Sequence, residues 1–307
     1  MLDGVISDDD IAAILVEMAD RGETATELAG AARAMRTRMK RVVAPSHAID
    51  VCGTGGDGQH SVNVSTAVAL VVAACGVPVA KHGNRAASSK AGGADTLEAL
   101  GLDLAKASEN AQATLADIGI CFLFAQAHHP ALARIAPIRK ALGRRTIFNL
   151  LGPLANPAGV TRQLVGVPSP TLLPLYRDAM ELLRTDRAII VSGEEGLDEM
   201  SISGPSRIAT IGIEGVGERI QPENAGLSAH PAEALRGGDA AFNAAALRRL
   251  LMGEPGAYRD AVLLNAAGAL IVAGEAADWH QGVEEAAEAI DKGLANTLLD
   301  CWIATVK

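Results

Sequence analysis

Val51-Cys-Gly-Thr-Gly-Gly-Asp-Gly-Gln-His-Ser-Val-Asn-Val-Ser-Thr66 is the stretch that decides the fold. Just before it, Ala48 to Cys52 has the make-up of a short buried strand. Gly53, Gly55, Gly56 and Gly58 then crowd together. Glycine reaches positive φ without a steric penalty and lets a ligand approach the backbone closely. Successive N–H groups in such a turn form an anion-binding nest. Asn63-Val-Ser-Thr66 supplies N-cap residue types. Ala67 to Cys75 follows as a buried helix, whose N-terminus directs free N–H groups and a positive dipole end back at the turn. Gly76 ends this helix, and Val77 to Ala80 is the next strand. Lys81-His-Gly-Asn-Arg85 then sits at the carboxyl end of that strand, the edge where open α/β sheets bind ligands.

A glycine cluster alone is structural about as often as functional, and this one is neither G-x-G-x-x-G nor a Walker A motif. The second cluster shifts the balance. Lys81, Arg85 and Lys90 are interleaved with His82, Asn84, Ser88 and Ser89 in one strand-end loop. Surface charge ordinarily disperses over helix faces. Concentrated here, it points to a multiply charged phosphate ligand.

Outward from this unit, the chain alternates strand and helix. Ile118 to Phe124, Arg187 to Ser192 and Arg207 to Ile213 read as strands. Pro130 to Leu142, Ala240 to Leu251, Tyr258 to Ala273 and Gly282 to Trp302 read as helices. On the N-terminal side, Ser7-Asp-Asp-Asp10 and Thr24-Ala-Thr-Glu27 are capping-box helix starts. Gly22 stops the first helix, and the second runs from Leu28 to Met39. The expected fold is α/β, a mostly parallel central sheet flanked by helices, with a smaller all-helical domain. A helical domain over 1–44 and an α/β domain over 45–307 follow, with Pro45 opening the linker.

Composition narrows the functions. The net charge of −9 argues against a nucleic-acid surface, and cation binding for an anionic substrate must be local or metal-assisted. Aromatic residues are only 3%, so the core is built from Ala, Val, Leu and Ile. Cys52, Cys75, Cys121 and Cys301 are scattered, as free thiols of a reducing cytosol are. The acidic start does not read as a signal peptide, and no apolar run is long enough for a membrane span. A cytoplasmic enzyme without a nucleic-acid or membrane partner is expected.

These motifs together resemble the anthranilate phosphoribosyltransferase family. Gly53-Thr-Gly-Gly-Asp-Gly58, Asn63-Val-Ser-Thr66 and Lys81-His-Gly-Asn-Arg85 carry the resemblance first. It continues through Ala94-Asp-Thr-Leu-Glu-Ala-Leu-Gly101, His129-Pro-Ala, Pro137-Ile-Arg139, Thr146 to Pro157, Gly196-Leu-Asp-Glu199 and Asn265-Ala-Ala-Gly-Ala-Leu270. It implies transfer of phosphoribose from phosphoribosyl pyrophosphate to the amine of anthranilate, with Mg²⁺, in tryptophan biosynthesis. It also implies that part of 128–157 packs with the N-terminal helices beside a cleft. Family members usually carry a further helical stretch before the segment that begins here, so the implied homodimer contact is weakened. Ala91 and Gly93 stand where serines are frequent, and Ser192 where a histidine often stands.

Site roles come from the same resemblance. Gly53, Gly56, Asp57, Ser61, Asn63, Val64, Ser65 and Thr66 are placed around the phosphoribosyl donor. Lys81, His82, Gly83, Asn84, Arg85, Ala86, Ala87, Ser88, Ser89 and Gly93 complete that set. Gly53, Asn84 and Arg139 are the candidates for anthranilate, because a guanidinium grips a carboxylate bidentately. Ser65, Asp198 and Glu199 are the candidates for two Mg²⁺ ions, since Mg²⁺ takes a few carboxylates plus phosphate oxygens and waters. An isolated Asp-Glu pair is more often a solvated acidic turn, and Glu194 and Glu195 stand beside this one. Helix-surface charge is the plain alternative for Arg139.

The acceptor amine is neutral and nucleophilic at neutral pH, so no side chain is assigned as acid or base. A pyrimidine nucleoside phosphorylase shares the general architecture, but Gly196-Leu-Asp-Glu199 and the intact Lys81-His-Gly-Asn-Arg85 argue against it. A non-catalytic nucleic-acid-binding relative would need a basic, aromatic-laced surface.

Overall fold

Seven strands build one sheet: β1 (Ile49–Gly53), β2 (Val79–Gly83), β3 (Ile120–Phe124), β4 (Arg162–Gly166), β5 (Arg187–Gly193), β6 (Ser206–Ile211) and β7 (Arg219–Ile220). The computed structural model describes residues 1–86 and 90–307, so Ala87, Ser88 and Ser89 of the expected donor loop lie outside the described residues. Spatial order is β3-β2-β1-β4-β5-β6-β7. The first five strands of that order run parallel, and β6 and β7 are antiparallel. After β1 the chain winds outward through β2 to β3, then returns to lay β4 on the other flank of β1. That reversal opens a crevice outside the carboxyl ends of β1 and β4. Gly53 and Gly166, the last residues of these two strands, are register partners.

The parallel strands are buried on both faces, as their near-continuous apolar runs require. Two helices matter for the site. One is α3 (Val64–Ala74), buried from Ala67 to Ala73. It packs on the long helix Ala257–Ala273. At the N-terminus, α1 (Asp8–Arg21) is capped by the Ser7 hydroxyl and ends at Gly22, whose φ is 87°. The Thr24 capping box is present and opens α2 (Ala25–Arg36). One hydrophobic cluster joins Ile11, Leu15 and Leu28 of this layer to Ile138, Leu151 and the sheet residues Val165 and Ile190. Arg134 and Arg144 reach Asp8 and Asp20 across the same contact.

Several boundaries differ from expectation. Lys81, His82 and Gly83 belong to β2 itself and are not in the loop after it. Strand pairing to β3 continues through Gly83↔Phe124, which draws the basic residue into the sheet. The second helix stops at Arg36. Pro130 to Leu142 divides into a 3₁₀ turn (Pro130–Arg134) and a helix (Ile135–Leu142). Gly282 to Trp302 divides at Gly293, a left-handed residue that separates Trp279–Asp291 from Leu294–Thr305.

Candidate active site

Gly55, Gly56 and Gly58 all have positive φ, as does His60 at 53°. The loop they form is pinned at its rim. Thr54 N–H donates to Gly166 O at 3.0 Å, Gln59 Nε2 to Glu195 O at 3.0 Å, and Gly237 N–H to His60 O at 2.8 Å. Around Gly56 there is open space on the side a Cβ would take, so the backbone is approachable there. The turn thus meets the requirement for cradling an anion, and α3 starts directly behind it.

Asp198 and Glu199 close the crevice from the other side. Gly55 N–H donates to Asp198 Oδ2 at 2.6 Å. A Cβ on Gly53 would overlap the Asp198 carboxylate, with its Cγ at 2.8 Å, and a Cβ on Gly166 would run into the Asp198 carbonyl. Both strand-end glycines therefore serve the close approach of one residue. Glu199 Oε1 accepts from Ser65 N–H at 3.1 Å, in the first turn of α3. Its second oxygen, Oε2, is buried with no hydrogen-bond partner among the described residues. Burial, with Asp57 alongside, pushes Asp198 up to about 7. Burial and the neighbouring carboxylates of Asp198 and Asp57 likewise push Glu199 well above the carboxylate range. Charged carboxylates crowded in a desolvated crevice resist ionisation unless a cation joins them. The acidic-turn alternative does not describe this pair, because both carboxylates face inward.

Lys81 lies beneath the turn, 4% exposed. Its Nζ donates to Val51 O at 2.8 Å and to Ser65 Oγ at 3.2 Å. Burial lowers its pKa, while Asp50, Cys52, Glu199 and Asp198 hold it up. Asp50 is a fully buried carboxylate in the middle of β1. It accepts from His82 N–H at 3.0 Å and Asn156 Nδ2 at 2.8 Å. Asp50 and Asn156 are not among the site residues expected from the sequence. The available signal was a carboxylate inside an apolar strand one strand away from a lysine, since buried charges occur in pairs.

His82 turns the other way. Its Nδ1 lies 2.9 Å from Gly152 O, and its ring is 5.1 Å from that of His129. Burial pulls His82 down to about 3 and His129 to about 4, so both are neutral imidazoles. The Nε2 atoms of His82, His128 and His129 are buried without a partner among the described residues. Arg139 is half-buried, with its guanidinium 5.6 Å from the Phe148 ring centre. No carboxylate among the described residues pairs with it, unlike Arg134 and Arg144.

The other expected residues take varied positions. Arg85 forms ion pairs with Asp95 (2.8 Å) and Glu98 (2.5 Å), so its charge is already neutralised. Ala86 N–H donates to Asp95 Oδ2 at 3.0 Å. Asn84 is exposed and its Oδ1 accepts from Arg85 N–H at 2.8 Å. Asn63 is the N-cap of α3 but makes no capping bond. Its side chain ties Thr96 and Asn243 together and donates to Ala91 O at 3.2 Å. Thr66 is buried against Gly93, and Gly83 is half-buried where a Cβ would overlap the Phe122 ring. Ser61 bridges to Arg236.

Residues 45–296 match the glycosyl transferase family a/b domain, and residues 1–39 match the helical bundle domain of that family. The chain is 65% identical over its full length to the anthranilate phosphoribosyltransferase of Novosphingobium aromaticivorans, covering 93% of that protein. It is 65% identical over 99% of its length to the Sphingopyxis alaskensis enzyme of the same name, covering 92% of it. Anthranilate phosphoribosyltransferase from Thermus thermophilus superposes with a TM-score of 0.94 at 45% identity, over 99% of this chain and 92% of that one. The Saccharomyces cerevisiae enzyme, solved in complex with PRPP and Mg, superposes at 0.90 with 29% identity, over 99% and 89%. The chain belongs to the anthranilate phosphoribosyltransferase family.

Proposed function

We propose that the crevice outside β1 and β4 transfers phosphoribose from phosphoribosyl pyrophosphate to the amine of anthranilate, releasing diphosphate. The observation that carries this reading is the pairing of the open glycine turn with the inward-facing Asp198 and Glu199. The turn presents open backbone at Gly56 to the diphosphate, and α3 adds the positive end of its dipole behind it. Gly56, Asp57, Ser61 and the residues from Asn63 to Thr66 line that side. Lys81 adds positive potential from below and offsets the buried carboxylates. Asn84 and Arg139 belong to the acceptor side, where the unpaired guanidinium suits the anthranilate carboxylate.

The donor set fits a divalent cation. Glu199 Oε2 is a buried oxygen without a partner among the described residues, Asp198 and Asp57 act on the same carboxyl, and Ser65 lines the same cavity as Asp198 and Glu199. When bound there, Mg²⁺ would neutralise the leaving diphosphate. Two ions belong to this reading as the family resemblance implies them, with Ser65, Asp198 and Glu199 as their protein ligands. Catalysis then rests on positioning and on charge stabilisation of the leaving group. The acceptor needs no base, and His82 and His129, held neutral by burial, are not asked to be one.

The same reading divides the chain near residue 44 into a helical and a donor-binding domain. It includes a homodimer formed through the N-terminal layer, where Ile14 is an exposed apolar residue. It also places the enzyme in the cytoplasm; among the described residues no helix is long and apolar enough to cross a membrane. The test is direct. Anthranilate fluorescence should fall when the purified chain meets anthranilate, phosphoribosyl pyrophosphate and Mg²⁺. Asp198→Ala combined with Glu199→Ala should abolish the Mg²⁺-dependent rate. A steady signal from folded parent protein rejects the activity, and undiminished Mg²⁺ dependence in the double variant rejects the metal assignment.

A further inference from the structure

From Ala261 to Ala273 every residue of the helix Ala257–Ala273 is buried, and Asn265 alone in that stretch carries a polar side chain. A buried amide is costly unless its donors and acceptor are satisfied. Asn265 satisfies them in a directed way. Its Oδ1 accepts from Met200 N–H at 2.9 Å, and its Nδ2 donates to Met200 O at 3.1 Å and to Ala261 O at 2.9 Å. The amide thus reads both backbone groups of Met200, while the bond to Ala261 fixes the amide to its own helix. The Met200 side chain enters a notch at Gly268, one turn further along the same helix face. A Cβ at Gly268 would overlap the Met200 methyl and would touch Trp279 Cζ3 at 3.3 Å.

Met200 directly follows Glu199. From the opposite side, Gly166 admits the Asp198 carbonyl with no room for a side chain. Residues 198 to 200 are therefore clamped between the end of β4 and the Asn265 face. Ser65, Asp198, Glu199 and Asn265 line one small cavity. We propose that Asn265 is a positioning residue for the metal-binding carboxylates: by gripping Met200 it sets the angle at which Asp198 and Glu199 face the diphosphate. This rests on the reading that the pair holds Mg²⁺. A metal site must be held to within about 0.5 Å of its working geometry by the groups behind its ligands. Loss of such a group commonly lowers metal affinity by about 10-fold to 100-fold.

The experiment compares the full chain with Asn265→Leu, Gly268→Ala and Asp198→Asn. Mn²⁺ binding is followed by electron paramagnetic resonance, half-activation by Mg²⁺ in steady-state assays, and folding by urea denaturation. Asn265→Leu should weaken Mn²⁺ binding and raise the Mg²⁺ needed for half-activation by about 10-fold or more, with the anthranilate KM little changed. Gly268→Ala reaches Met200 by a different route and should move the same two readouts in the same direction. It alone decides the matter if Asn265→Leu does not fold. Lower urea stability with both metal readouts within about twofold of the parent would mean a purely structural clamp and overturn the proposal. In that case Asp198→Asn separates the causes. If it weakens Mn²⁺ binding, only the role of Asn265 falls; if it does not, the metal reading falls with it.

Discussion

The Asp198 carboxylate occupies the place where a side chain on Gly53 would have to go. Gly53 ends β1, and Asp198 comes from the segment after β5, far along the chain. Contact between them brings the phosphate turn and the acidic pair into one crevice. Gly53→Ala should push Asp198 off the Gly55 N–H while leaving β1 paired. A displacement near 1 Å costs about 100-fold in turnover, so a loss of that order is expected, with an unchanged circular dichroism spectrum. Full activity in Gly53→Ala would show that the contact is incidental.

Arg139 faces a ring and, among the described residues, no carboxylate, as the proposed grip on the acceptor requires. Arg139→Ala should raise the anthranilate KM by roughly 10-fold to 100-fold, the range for losing a charge-assisted hydrogen bond. The KM for phosphoribosyl pyrophosphate should change far less. Arg139→Lys keeps the charge but not the planar fork, so it should recover only part of the loss. Equal effects on both substrates would point to damaged folding instead.

His82 and His129 make the fold acid-sensitive. Burial lowers their pKa from 6.5 to about 3 and about 4. Between those values and 6.5 the unfolded chain binds protons that the folded chain refuses, so stability rises with pH across that window. The stability tied to these rings is complete above about 6.5 and is lost as pH falls toward 3. Thermal melting of the parent should drop through that window more steeply than that of His82→Gln combined with His129→Gln. Parallel pH profiles would show that the rings are protonated in the native state.

Asp50 and Lys81 are a buried pair of opposite charges on neighbouring strands, joined through the field between them and not by a direct bond. Removing one partner from such a pair costs about 3–5 kcal/mol. Asp50→Leu should therefore lower urea stability by about that amount. Adding Lys81→Met should restore much of it, because no charge is then left stranded. Additive losses in the double variant would show that the two charges do not compensate each other.

Local chemistry was legible in the sequence, and long-range contact was not. Thr24 and Glu27 announce a capping box, and the capping box is present, because both partners lie within one turn. The strand–helix–strand unit from Ile49 to Ala80 was equally readable, since apolar runs and glycines mark its ends, although the second strand runs on through Gly83. Three features escaped. Arg162 and Gln163 disguise β4, as Gln163 is buried only because Pro153 O accepts from its amide at 2.8 Å. Gly293 looked like an interior helix residue, and only its left-handed conformation breaks the helix. Asp50 and Asn265 bind partners 32 and 65 residues away: Asp50 was signalled only by its charge inside an apolar strand, and no local pattern could reveal the grip of Asn265 on Met200. Arg85 shows the converse: its motif was clear, but two carboxylates on the following helix occupy its guanidinium.

Trp279 and Trp302 both lie in the cluster around α3 and the C-terminal helices, whereas the cluster under α1 and α2 has Tyr176 as its fully buried aromatic residue. Tryptophan emission therefore follows the melting of the cluster around α3 and is blind to the cluster under α1 and α2. A preparation with native emission can already have lost the packing under α1 and α2. Pairing emission with far-ultraviolet dichroism, or installing a reporter by Tyr176→Trp, makes the melting of the two halves separately visible.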